Sequence, residues 1–304
     1  MRQSAFAGFW QATGPAGGAC PRVARRIAPS LLLLHATLSV VRRCAGGMFF
    51  SMLVAVCVSA GARADLQFAN GVWWNAQTPG IGYAVEVNGN RMLMAVLAYR
   101  SSGTSAWYQA SGLLFSSTVF NNTLIEYGGG QTLGGAARPP TTVTSVTSMS
   151  LAATAPSAAS FQLSGGGPIA IQRYEFVSGG LTGGVAAAAP QTGWWWNANE
   201  PGRGYFIEVQ GNRLLVLMMM YETDGSSRWY TATGDLLIGA FGLNPNMAAT
   251  LEEYGGGQSL GGAYALATRT AIKGQIGISF SSQTAGILTL PNGAQVAITR
   301  FSNF

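Results

Sequence analysis

Residues 71–91 read G-V-W-W-N-A-Q-T-P-G-I-G-Y-A-V-E-V-N-G-N-R, and residues 193–213 read G-W-W-W-N-A-N-E-P-G-R-G-Y-F-I-E-V-Q-G-N-R. Extended to 71–114 and 193–236, the two stretches align without a gap, 122 positions apart, with 23 of 44 residues identical. The match resumes at E-Y-G-G-G-Q-T-L-G-G-A (126–136) and E-Y-G-G-G-Q-S-L-G-G-A (253–263), now 127 positions apart. The chain is therefore a tandem duplication. Within each copy the apolar period is two, and turn residues return every eight to twelve positions, the spacing of antiparallel strands. Strands are expected in the first copy at 72–75, 82–87, 91–99, 106–114, 119–127, 143–153, 160–163 and 169–176. Eight sequential strands with short turns make an all-β fold of two homologous up-and-down domains, each a barrel or a two-sheet sandwich.

The domains are read as 65–177 and 193–304, joined by a flexible Gly/Ala-rich linker at 178–192. The Pro-, Thr- and Ser-rich piece from Pro139 to Ser160 stays inside the first domain, because its counterpart from Lys273 is plainly strand-like. Residues 1–64 read as a leader. An apolar run at 48–60 follows Arg42 and Arg43 and precedes Ala62-Arg63-Ala64, the order of a secretory signal peptide cleaved after Ala64. The run is shorter than the about 20 residues of a membrane span. The forty residues before it fit neither a domain nor a targeting signal, and a translation start at Val41 would leave a compact leader.

Cleavage changes the chemistry. Seven of the 17 basic residues lie before Asp65, leaving ten against eleven acidic ones, so the basic footprint of a nucleic-acid binder is absent. Cys20, Cys44, Cys57 and His35 go too. A mature chain without cysteine or histidine has no disulfide, thiol nucleophile, Ser-His-Asp triad or ordinary zinc site, and no cofactor motif replaces them. Pro79-Gly80-x-Gly82 and Pro201-Gly202-x-Gly204 are turn chemistry, lacking the third glycine and helix of a dinucleotide fingerprint. The glycines at 128–135 and 255–262 lack a P-loop lysine and read as a bulged turn or tight backbone crossing.

Four observations bear on function. Adjacent strand residues point to opposite faces, so one tryptophan of Trp73-Trp74 and of Trp195-Trp196 should enter the core, and its neighbour should look outward or into a cavity. An outward ring beside Tyr83 or Tyr205 could stack on a sugar or an apolar ligand. With Trp107-Tyr108, Trp229-Tyr230, Asn75 and Asn197, these aromatics form the candidate ligand-binding set, against the plainer reading that they plug the domain and its interface. Second, if Asn88-Gly89 and Gln210-Gly211 are two-residue turns, Glu86 faces Arg91 and Glu208 faces Arg213 as structural ion pairs worth only about 0.2–1 kcal/mol each. Third, Met92–Tyr99 and Leu214–Tyr221 are apolar on both faces, so something covers each strand from outside: the sister domain, a second chain, or lipid. Fourth, the carboxylates Glu86 with Glu126, and Glu208 with Glu253, are the best case for an enzyme, a glycoside hydrolase. A membrane barrel is disfavoured because Ser302 and Arg300 break the lipid-facing alternation before Phe304.

The motif Trp195-Trp196-Asn197-x-x-Glu200-x-Gly202-Arg203-Gly204 resembles the tandem Trp-Trp-Asn repeat modules of exported bacterial proteins, a group that implies no particular activity. The first copy departs from it with Thr78 and Ile81 in place of Glu200 and Arg203, so a site built on those residues belongs to the second copy. The Gly-x-Trp-x-Asn opening is also similar to avidin-type eight-stranded barrels, which implies a ligand at Asn75 or Asn197, although Pro79 and Pro201 stand where that family has a polar residue. The expectation is an exported, non-catalytic binding or surface-interaction protein for a glycan or small apolar ligand, with envelope association or self-association through the apolar strands. A hydrolase and a structural envelope component are the alternatives.

Overall fold

The computed structural model describes residues 67–304 apart from residue 243; the expected leader and the expected cleavage after Ala64 lie outside that range. The first copy folds into strands β1 (Gly71–Trp74), β2 (Gly82–Asn88), β3 (Arg91–Tyr99), β4 (Ser105–Leu113), β5 (Val119–Gly128), β6 (Thr142–Ala155), β7 (Ala158–Leu163) and β8 (Ile169–Arg173). The second gives β9 (Gly193–Trp196), β10 (Gly204–Gln210), β11 (Arg213–Tyr221), β12 (Ser227–Asp235), β13 (Asn246–Gly255), β14 (Thr268–Ser282), β15 (Ala285–Thr289) and β16 (Gln295–Arg300). Each strand pairs antiparallel with the next, and each set closes on itself: Trp73 opposes Arg173 between β1 and β8, and Trp195 opposes Arg300 between β9 and β16. The choice between sandwich and barrel thus falls to two eight-stranded closed barrels. The Pro139–Ser160 piece supplies β6, and the chain before β9 is fastened where Gln191 donates to the Gln283 carbonyl.

Alternation along β3 and β11 shows how the barrels are packed. Met92, Met94, Val96 and Ala98 point into the first barrel with Trp73, Tyr83 and Phe161. Leu214, Val216, Met218 and Met220 point into the second with Trp195, Tyr205 and Phe280. The intervening residues, Leu93, Ala95, Leu97 and Tyr99 of β3 and Leu215, Leu217, Met219 and Tyr221 of β11, form a third core shared by the two barrels. A strand apolar on both faces needs cover on both, and here the outer cover is the sister barrel. At about 25 cal/mol per Å² of apolar surface, this central layer is a major source of cohesion.

The hairpin after β2 corrects the expected ion pairs. Asn88 opposes Arg91 and Gln210 opposes Arg213, so the two-residue loops are Gly89-Asn90 and Gly211-Asn212. Gly89 and Gly211 take φ of 60° and 57° at the first loop position, while Asn90 and Asn212 keep negative φ, the type II′ pattern that favours glycine there. Glu86 then faces Leu93 rather than Arg91, and Glu208 faces Leu215 rather than Arg213. Both carboxylates turn to the other barrel. Glu86 binds Arg300 and accepts from the Trp194 amide at 2.6 Å; Glu208 binds Arg173 and accepts from the Val72 amide at 2.6 Å. Arg213 pairs with exposed Asp235 instead. Gly71 and Gly193, at φ of 137° and 136°, are obligatory: a Cβ on Gly71 would lie 2.7 Å from Glu208, and one on Gly193 would lie 2.1 Å from Glu86.

The glycine-rich stretches are the tight crossing, and the crossing is between barrels. Gly129 donates to the Gly225 carbonyl at 2.8 Å, Tyr221 donates to Gln131 at 3.2 Å, and Gly130 lies so close to the Tyr221 ring that a Cβ would stand 2.2 Å from it. The reverse set is Gly256 to Gly103 at 2.8 Å, Tyr99 to Gln258 at 3.2 Å, and Gly257 against the Tyr99 ring at 2.1 Å. Leu133 of the first copy packs onto the second barrel's core, and Leu260 of the second onto the first's. Each barrel is clasped by its sister's loop through the same residues, the self-complementary pattern of a twofold interface.

Candidate functional site

Most of the candidate aromatics are structural. Trp73 and Trp195 are fully buried in their barrels, donating to the Ala69 and Gln191 carbonyls, each at 3.1 Å. Tyr83, Tyr108, Tyr205 and Tyr230 are buried with them. Burial pushes the hydroxyls of Tyr83 and Tyr205 well above the usual tyrosine range. Trp107 and Trp229 form reciprocal bridges: Trp107 donates to the Met220 carbonyl and Trp229 to that of Ala98, each at 3.1 Å. Asn75 and Asn197 hold turns, their side-chain oxygens accepting from the Gln77 and Asn199 amides at 2.8 and 2.9 Å. Glu200 accepts from Arg203, from Gln131 of the sister loop at 3.2 Å, and from Asn197 at 3.3 Å. That network fastens the clasp onto the second barrel. In the first barrel Thr78 and Ile81 replace it and line, with Asn75 and Tyr83, a 310 Å³ recess.

The carboxylates proposed for catalysis are committed elsewhere. Glu86 and Glu208 sit in the interface pairs. Their carboxyls are pushed upward by burial, with Arg300 and Arg173 pulling the other way. Glu126 is held by Arg100 and accepts from Ser227 at 3.0 Å, and Glu253 stands 3.4 Å from both Arg228 and Lys273. Among the described residues no group of three or more acidic or His/Cys side chains could hold a metal ion.

The outward tryptophan of the first copy does meet a cavity. Trp74 lines a groove of about 820 Å³ between the barrels, the size of a small-molecule site. Its floor is Val72 and Trp73 of β1 with Leu97, Leu215 and Leu217 of the shared core. One side carries Trp74 and Tyr174, whose rings meet edge to face at 4.9 Å and 64°. The other carries Trp229 stacked on Tyr254 at 6.4 Å and 11°, followed by Thr231, Thr233, Thr250 and Glu252. The Trp74 indole nitrogen is buried without a hydrogen-bond partner. Of the candidate ligand residues, Trp73, Trp74 and Trp229 come together here; the rest do not. Leu215, Tyr174, Thr231 and Glu252 were missed by sequence reasoning. They come from four separate strands or loops, and the one local signal was Val72, standing where the second copy has Trp194.

The chain matches no known protein family, no curated protein sequence and no solved structure.

Proposed function

We propose that the chain is an exported, non-catalytic binding protein that holds a small amphipathic ligand, a sugar or an apolar molecule with a polar edge, in the groove beside Trp74. The observation that carries the reading is the groove itself: about 820 Å³, apolar and aromatic along Val72, Trp74, Tyr174 and Leu215, and polar along Thr231, Thr233 and Glu252. A ligand with one ring face and one hydroxyl-bearing edge satisfies both walls. Among the described residues Glu252 is the only carboxylate lining it, whereas glycoside hydrolysis uses two, which favours binding over turnover. The barrel interiors are filled with apolar side chains, the reverse of a lipid-embedded barrel, which favours a water-surrounded protein after export. The outer apolar strands are used up in the shared core, so envelope contact or self-association would need another surface.

The test uses the chain 65–304 with defined glycan and lipid mixtures, read by native mass spectrometry alongside product analysis. Retained ligand without products, lost on Trp74→Ala, supports the proposal. Released sugar, or retention indifferent to Trp74→Ala, overturns it. N-terminal sequencing of the protein from the culture medium or periplasm should begin at Asp65.

A further inference from the structure

The molecule carries an internal control for its own groove. Because the copies clasp each other reciprocally, every groove residue has a counterpart on the far side of the interface: Trp196 for Trp74, Phe301 for Tyr174, Leu93 for Leu215. The flanks match closely. Trp196 meets Phe301 at 5.0 Å and 63°, where Trp74 meets Tyr174 at 4.9 Å and 64°. Phe301 meets Phe304 at 6.0 Å and 36°, where Tyr174 meets Phe176 at 6.1 Å and 38°. What differs on the floor is a cross-strand pair, Val72 with Ala84 against Trp194 with Phe206. The Trp194 indole is 5% exposed, edge-on to Phe206 at 5.0 Å and 77°, and donates its N–H to the Leu93 carbonyl at 3.2 Å. Its ring and that of Phe206 have only the small side chains of Val72 and Ala84 as counterparts on the other side.

We infer that Trp194 is a built-in occupant of the duplicated site, and that the open site accepts a flat aromatic ring bearing an N–H donor, an indole or a similar heteroaromatic, lying over Val72 and donating to the Leu215 carbonyl. This rests on the groove being a ligand site and narrows its ligand. A backbone carbonyl has two lone pairs, so a ladder bond does not prevent a second donor from binding. A carboxylate is also particular to the open side: Glu252 stands where the filled side has Ile125, whereas Thr231, Thr233 and Thr250 have the polar counterparts Gln109, Ser111 and Thr123. The ring therefore carries a polar substituent directed toward Thr231 and Glu252.

The backbone already tolerates the decisive substitution. Val72 and Trp194 each give their amide to the sister barrel's glutamate at 2.6 Å, so Val72→Trp places a tryptophan on a backbone the protein uses once, with Ala84 beside it where Trp194 has Phe206. Binding of 5-fluoroindole is followed by fluorine NMR, with a defined oligosaccharide mixture as a second probe. The expected results are one site per chain in the native protein, none in Val72→Trp and two in Trp194→Val. 1-Methyl-5-fluoroindole, which lacks the donor, should bind about threefold to tenfold more weakly. Thr231→Trp, from the opposite wall, closes the groove independently should Val72→Trp fail to fold. Fluoroindole binding that survives both fillers overturns the inference. Oligosaccharide binding that the fillers abolish, with no fluoroindole binding, also overturns it but leaves the binding function standing; no binding of either probe removes both.

Discussion

Replacing Glu208 by alanine separates two accounts of the same residue by several kcal/mol. As a turn-proximal partner of Arg213 it would be worth about 0.2–1 kcal/mol. In the structure it is 1% exposed, bound to Arg173, and accepts from the Val72 amide at 2.6 Å and from Gln210 at 2.7 Å. Removing it leaves the buried Arg173 guanidinium with carbonyl acceptors only, among them Val72 at 3.2 Å. It also orphans the Val72 N–H, a loss of about 1–3 kcal/mol by itself. Breaking a buried pair by deleting one member costs about 3–5 kcal/mol, and that is the expected destabilisation. The assay is urea denaturation of chain 65–304 followed by tryptophan fluorescence, with Arg173→Ala and the double variant completing a mutant cycle. The double variant should be less destabilised than the two single losses added together. Arg213→Ala, whose Asp235 pair is largely exposed, should cost under about 1 kcal/mol. A Glu208→Ala loss below about 1 kcal/mol, or strict additivity, would refute the reciprocal interface.

Gly257→Ala would push a methyl into the Tyr99 ring and should destabilise by about 1–3 kcal/mol, whereas Gly165→Ala, with open space around it but φ of 79°, should cost about 1 kcal/mol; equal, negligible losses in urea melts would speak against the clasp. Burial raises the carboxyls of Glu86 and Glu208 against the pull of their arginines. A raised folded pKa gives stability that is full below the unfolded value near 4.5 and is lost as pH rises through the folded value. The stability of the native chain relative to the Glu86→Gln/Glu208→Gln variant should therefore fall as pH rises above about 4.5, and a rise would reverse the assignment. Trp74→Ala should weaken ligand retention at least tenfold while leaving the far-ultraviolet spectrum unchanged; an unchanged affinity in titration calorimetry would remove Trp74 from the site.

Period-two patterning and the duplicated motif were enough to read about eight strands in each of two antiparallel domains, because alternation is a property of the chain alone. The double-faced run at Met92–Tyr99 also announced a cover, though not whose. Three features stayed hidden for physical reasons. Glu86 shifted partner because the glycine at 89 prefers the first loop position, moving the turn by one residue and freeing the carboxylate to reach Arg300, 214 positions away. The glycine stretch was legible as a bulged turn or a tight backbone crossing, but not that its missing side chains make room for Tyr99 and Tyr221 of the opposite barrel. The groove depends on side chains from Val72 to Tyr254 that only barrel closure brings together.

The reciprocal clasp is tested most directly by hydrogen exchange of the indole N–H groups of Trp107 and Trp229, each bonded to a carbonyl of the sister barrel and nearly inaccessible to solvent. In ¹⁵N-labelled chain 65–304 both should exchange together and only with global unfolding, and Glu208→Ala should accelerate both by the same factor. Exchange within minutes under native conditions, or at rates unrelated to each other, would mean that the barrels do not share a core.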